Sequence, residues 1–159
     1  MFILLLFALI GAGYLHGRFG GEKTQQGRYE LILVYLTAGY CGVIMVGVSV
    51  WGMISPPSAA GMVGTEPGNP FQEFFLVAYL GMSVMATLSI WIRGSYLTAN
   101  VVNWSIYWFG ATYLHLADYH DAGKLDFYTG AQIVGAHALA PIFMILFLAL
   151  AYRNAKSPM

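Results

Sequence analysis

Apolar residues occur along this chain in long blocks separated by short polar breaks. Five blocks approach the roughly 20 residues a helix needs to cross about 30 Å of hydrocarbon. They cover residues 1–17, 29–54, 71–92, 95–117 and 129–152. The pattern predicts an all-α integral membrane protein: one transmembrane helical domain over residues 1–159, built as a bundle of five transmembrane helices. The first block lacks a positively charged start, and its end, AGYLHGRFGG, offers no small-x-small cleavage site, so it is expected to be a retained helix rather than a removed signal.

Between the blocks the sequence breaks in distinct ways. Arg93 and Gly94 alone separate the third and fourth spans, which predicts a tight helical hairpin with Gly94 in the left-handed conformation open to glycine. Residues 55–70, SPPSAAGMVGTEPGNP, are rich in proline, glycine and small side chains and show no helical period, so they are expected to form the one long loop.

Composition agrees with the pattern. Hydrophobic residues make up 58% of the chain, charged ones only 9%, and the mean hydropathy is +0.66, against about 25% charged residues in soluble domains. A formal net charge of +0 gives nucleic acid no basic footprint. The single cysteine, Cys41, lies in an apolar run; it excludes disulfide frameworks and CxxC chemistry within the chain and reads as a small buried hydrophobe.

The distribution of charge carries more than its sum. With five spans, Arg18, Lys23, Arg28, Arg93, Arg153 and Lys156 fall on one side, and Lys124 falls on the other. Lysine and arginine beside span ends favour the cytoplasm, which puts the N-terminus outside and the C-terminus inside, with an inner membrane of bacterial type as the expected location. The acids segregate oppositely: Glu66, Glu73, Asp118, Asp121 and Asp126 lie outside, Glu22 and Glu30 inside.

The stretch HLADYHDAGKLD, residues 115–126, closes the fourth span at that acidic outer face, with 118–128 expected as an outer loop. At 100° per residue His115 and Asp118 share a face with Trp104, Trp108 and Ala111, and His120 points about 140° away. His137 lies about 12 Å into the fifth span from its outer end, on a face with Ile133, Pro141 and Met144. Glu73 is in the first turn of the third span. The candidate metal site is therefore His115, Asp118, His137 and Glu73, with His120 and Asp121 at its rim. Two imidazoles and a carboxylate suit copper, zinc or iron. Haem between His115 and His137 fits less well, because the outer side offers its propionates only Lys124. Ionisable groups inside a membrane are costly, which is the argument for function. Near the headgroups the cost falls, and each group then has a structural role open to it: Glu73 on a helix N-terminus, His137 bonded to a carbonyl.

The functional reading is a small polytopic membrane protein whose outward-facing His/carboxylate site binds a transition metal, for redox chemistry or metal handling. The alternative is an accessory subunit of a larger membrane complex, without chemistry of its own. Small-xxx-small seams at Ala38/Gly42, Ala131/Gly135 and Ala136/Ala140 let helix backbones approach. They suit contact within the chain, a homo-oligomer or a larger complex equally. Expected partners are thus the lipid bilayer and a second copy or other subunits. Asn100 and Asn103 read as interhelical hydrogen-bonding groups. Pro141, four residues after His137, should leave that residue's carbonyl free of its helical donor. Whether the chain is an enzyme is left open: no Ser-His-Asp order, phosphate loop or paired Glu-x-x-His motif appears.

Overall fold

The computed structural model describes residues 2–63, 66–122 and 137–155, which are helical with short turns and contain no strand. Helix α1 spans Phe2–Phe19, α2 Gln25–Ile54, α3 Pro56–Val63, α4 Pro70–Leu88, α5 Ser95–Ala122 and α6 Ala140–Ala155. Among the described residues, three stretches are long and apolar enough to cross a membrane: Gln25–Ile54, Pro70–Leu88 and His137–Asn154. Helix α1 is apolar over Ile3–Phe19 but shorter. Residues 129–136, the first third of the expected fifth span, lie outside the described residues.

The helix starts follow local chemistry. Thr24 caps α2 by accepting the Gly27 N–H at 3.0 Å, and Asn69 caps α4 by accepting that of Phe71 at 2.9 Å, with Pro70 in the first turn where its missing N–H costs nothing. The turn into α2 uses Gly21 at φ 87°, and the turn into α5 uses Gly94 at φ 65°, as its position in the sequence predicted.

Three elements differ from the sequence reading. Residues 56–63, expected as loop, form α3; Ser55 followed by two prolines is a helix start, with the Ser58 N–H bonded to the Ser55 carbonyl at 3.0 Å. Helix α4 ends at Leu88 rather than 92, and the connection to α5 is the turn 89–94. Helix α5 runs through Ala122, so residues 118–122, expected as outer loop, are its last turn.

Helix α2 is the centre of the bundle and touches α1, α4, α5 and α6. Its middle, Tyr35–Ile44, is π-helical, a widened geometry that rarely exceeds one turn. Gly42 sits here against α4: a Cβ on it would lie 2.7 Å from the Thr87 nitrogen and 2.9 Å from its Cα. The expected seam at Ala38/Gly42 is therefore a real backbone approach. Leu33, Leu36, Tyr40 and Cys41 on α2 are buried against Leu6, Val101, Trp104 and Met144. Cys41 behaves as the small buried hydrophobe expected, its Sγ 3.8 Å from Met144 Sδ. The outside of the bundle is apolar: Leu4, Phe74, Val77, Ile106 and Tyr113 are among many large exposed side chains.

Candidate functional site

The inward face of α5 is the one that its spacing predicted. Trp104 and Trp108 are buried, and Trp108 leads to His115 two turns further on. Two turns of α-helix rise about 10.5 Å. Ala111 lies between them on that face, with only a methyl group as side chain. The ring of His137, from the turn that precedes α6, stands between the two: its centroid is 4.9 Å from Trp108 and 5.1 Å from His115, with ring planes inclined by 20° and 11°. The two distances together nearly fill the two-turn rise. Two histidines 22 residues apart in the sequence are thus brought face to face by the packing of α6 on α5.

Pro141 explains part of this placement. It cannot donate to the carbonyl four residues back, which is that of His137. Residues 137–139 form a π turn, and His137 enters the bundle from it. The side chain is 9% exposed and its Nδ1 has no hydrogen-bond partner among the described residues. An unsatisfied buried polar atom costs about 1–3 kcal/mol, so this nitrogen is a strong candidate to meet a ligand. His115 is half-buried, which leaves its outer edge room to move.

Below the imidazoles the stack continues into an aromatic interior. Trp108 lies 5.4 Å from Trp104 and 5.0 Å from Tyr107, and Tyr79 on α4 touches all three. Tyr79 donates to Met45 Sδ at 3.1 Å. The Tyr40 hydroxyl, Thr37 Oγ1 and both indole nitrogens of Trp104 and Trp108 are buried without partners among the described residues. Helical spacing puts Trp104 and Trp108 on this face, whereas no local signal in the sequence distinguishes Tyr40 or Tyr79 from interfacial aromatics or marks the π-helical segment.

Glu73 and His120 do not join the imidazole pair in a cluster. Among the described residues no three His, Cys, Asp or Glu side chains gather. Glu73 is exposed in the first turn of α4 and lines a groove with Pro56 and Gln72 instead. His120 is exposed near the end of α5, away from the inward face, as its angle predicted. The backbone of Asp118 is helical, one turn beyond His115, and its side chain lies outside the described residues, as does that of Asp121. The helix extends beyond the sequence estimate, which puts His115 two turns, about 10 Å, from the end of α5 at Ala122 rather than one. The interhelical role expected of Asn100 holds: it is buried and donates to Ser89 Oγ at 3.4 Å and to the Tyr96 carbonyl at 3.2 Å. Asn103 is exposed.

The chain belongs to DUF6790, a family of unknown function, which matches it over residues 1–157. No curated protein and no solved structure matches it.

Proposed function

We propose that this member of a family without assigned activity is an integral membrane protein of five spans that holds a transition-metal ion between His115 and His137 at its non-cytoplasmic end. The observation that carries the reading is the 5.1 Å approach of the two imidazoles from separate helices. A metal–nitrogen bond of about 2.0–2.1 Å puts an ion roughly 3.2 Å from a ring centre, so two imidazoles at a tetrahedral angle stand about 5.2 Å apart. The distance fits. The orientation needs one adjustment: planes inclined by only 11° send their in-plane lone pairs side by side. To share one ion the His115 ring must shift as well as turn, through χ1 and χ2 together, until its lone pair meets that of His137, whose far face Trp108 covers.

Asp118, one turn beyond His115 on the same helix face, is the carboxylate proposed to complete the shell or to orient the His115 ring. Glu73 and His120 are left out of this site. Copper, zinc and iron all suit imidazole with a carboxylate. Such an ion would tie α5 to the start of α6.

The five-span arrangement with the N-terminus outside is supported by the charges. Arg28 and Arg93 lie close enough to Glu22 to act on its carboxyl, so the 20–24 and 89–94 turns share one end of the bundle. Arg18 and Arg153 belong to that end by the alternation of the helices. This basic end is the cytoplasmic one by the rule that favours arginine and lysine there. Helix α5, at 28 residues, is about 42 Å long, more than the roughly 30 Å that a span needs.

Titration of the metal-free protein with zinc, copper(I) or iron(II) tests the site. One site occupied at a hundred times its dissociation constant should stabilise the fold by about 2.7 kcal/mol, read as a raised unfolding temperature. The shift should vanish in His115→Ala and His137→Ala. No shift with any of the three ions, or an equal shift in both variants, contradicts the proposal.

A further inference from the structure

The groove at the opposite edge of the same bundle end has a chemistry of its own. It is lined by Gln72 and Glu73 in the first turn of α4, Pro56 at the start of α3, and the apolar side chains of Met53, Leu76 and Val77, and it encloses about 250 Å³. Gln72 is 1% exposed. Its Nε2 donates to the Pro56 carbonyl at 2.9 Å. A carbonyl only accepts, so the amide cannot be turned round, and Oε1 is fixed as the atom on the far side. That oxygen is buried and has no partner among the described residues.

Gln72 and Glu73 both line the groove, so its polar edge consists of acceptors, the exposed Glu73 carboxylate and an unpartnered amide oxygen just beneath the surface, with no basic side chain among the described residues that line it. Its nearest backbone donors are already used, since the N–H groups of Phe71, Gln72 and Glu73 all bond to Asn69. An anion or a phosphate finds no donor here. A hard metal ion wants about six oxygen ligands, and two oxygens among aliphatic walls are too few. A primary ammonium matches: three N–H donors and one positive charge, on a molecule whose remainder is apolar.

We infer that this groove binds an amphiphile carrying a primary ammonium group, its head between Gln72 Oε1 and the Glu73 carboxylate and its chain along Met53, Leu76 and Val77. The surroundings suit an amphiphile. Phe71, Phe74 and Trp51 stand exposed beside the groove at helix ends, where aromatic side chains mark a membrane–water boundary. Val77 and Met53 open from it onto the apolar exterior.

Native mass spectrometry of the full chain released from nonionic detergent, titrated with dodecylamine, should show one amine bound per chain. Dodecyltrimethylammonium keeps the charge and the tail but has no N–H, and should bind at least about tenfold more weakly. Ethanolamine, a head without a tail, should not bind measurably. Gln72→Leu and Glu73→Gln should each weaken dodecylamine about tenfold; Glu73 is exposed, so its variant folds even where the buried change does not. Displacement of dodecylamine by phosphatidylethanolamine supports the site with bilayer lipid as its source, and failure of displacement supports it with a free single-chain amine. Equal binding of the trimethylammonium compound, binding of ethanolamine alone at similar affinity, or unchanged affinity in Glu73→Gln overturns the inference.

Discussion

The imidazole of His137 lies 5.1 Å from that of His115 with the ring planes inclined by 11°, across the contact between α5 and the start of α6. Neither ring would hold this position alone. Trp108 closes the far side of His137 at 4.9 Å.

Trp108 should thus matter to the site as well as to the fold. It is 3% exposed, and truncation of a buried tryptophan costs about 3–5 kcal/mol. Trp108→Ala is expected to lower the unfolding temperature strongly and abolish metal binding. Trp108→Phe, which keeps a ring against His137, should retain binding with a smaller loss of stability. Thermal unfolding of both variants with and without metal checks this.

The close approach at Gly42 predicts a contrast between glycines. A Cβ on Gly42 would meet the Thr87 backbone, and overpacking of this kind costs about 1–3 kcal/mol. Gly81 in α4 has nothing within 4 Å of such a Cβ, and alanine is favoured over glycine in a helix interior by up to about 1 kcal/mol. Gly42→Ala should destabilise and Gly81→Ala should not. Thermal unfolding of the two variants side by side measures the difference.

The Tyr40 hydroxyl offers a sharper test of the interior. It is buried with no partner among the described residues, so its removal should be neutral or stabilising. Tyr40→Phe is expected to unfold at or above the temperature of the parent chain. A loss of more than about 1 kcal/mol would mean that the hydroxyl serves a bound group.

At the other end of the bundle, Glu22 predicts a pH dependence. Thr24 donates to its carboxylate from Oγ1 at 2.9 Å and from the backbone at 3.2 Å. Those two bonds, with smaller help from Arg93 and Arg28, hold its carboxyl below the ordinary glutamate value. A carboxyl lowered in the folded state stabilises the fold above its unfolded value, and that contribution is lost as the pH falls through the folded one. The carboxylate lies at the surface, where solvent screens it, so the effect is small. Glu22→Ala should reduce stability at neutral pH, and the difference from the parent should shrink in acid, as pH-dependent thermal unfolding would show.

Much of the site was legible in the sequence because helical periodicity is a strong constraint. The i, i+3 and i, i+4 spacing put Trp104, Trp108 and His115 on one face, and the same rule placed His137 with Pro141 and Met144. Gly94 had only one economical conformation at a hairpin turn. Other features had no such signal. The widened helix at Tyr35–Ile44 comes from tertiary packing, since nothing in YLTAGYCGVI excludes an ordinary α-helix. Helix α3 is hidden by its prolines, which break helices in their interior but, as Ser55-Pro56-Pro57, are equally a helix start. Glu73 illustrates a different limit. Depth along the membrane placed it level with the histidines, but depth does not fix the direction of a side chain around the bundle, and it faces a separate groove.

The most direct test of the imidazole pair as a metal centre is elemental analysis of the intact protein, purified without chelators, beside His137→Ala. The account predicts copper, zinc or iron close to one ion per chain in the parent and a loss of most of it in the variant. Absence of all three metals from the parent, or the same content in both, would contradict it.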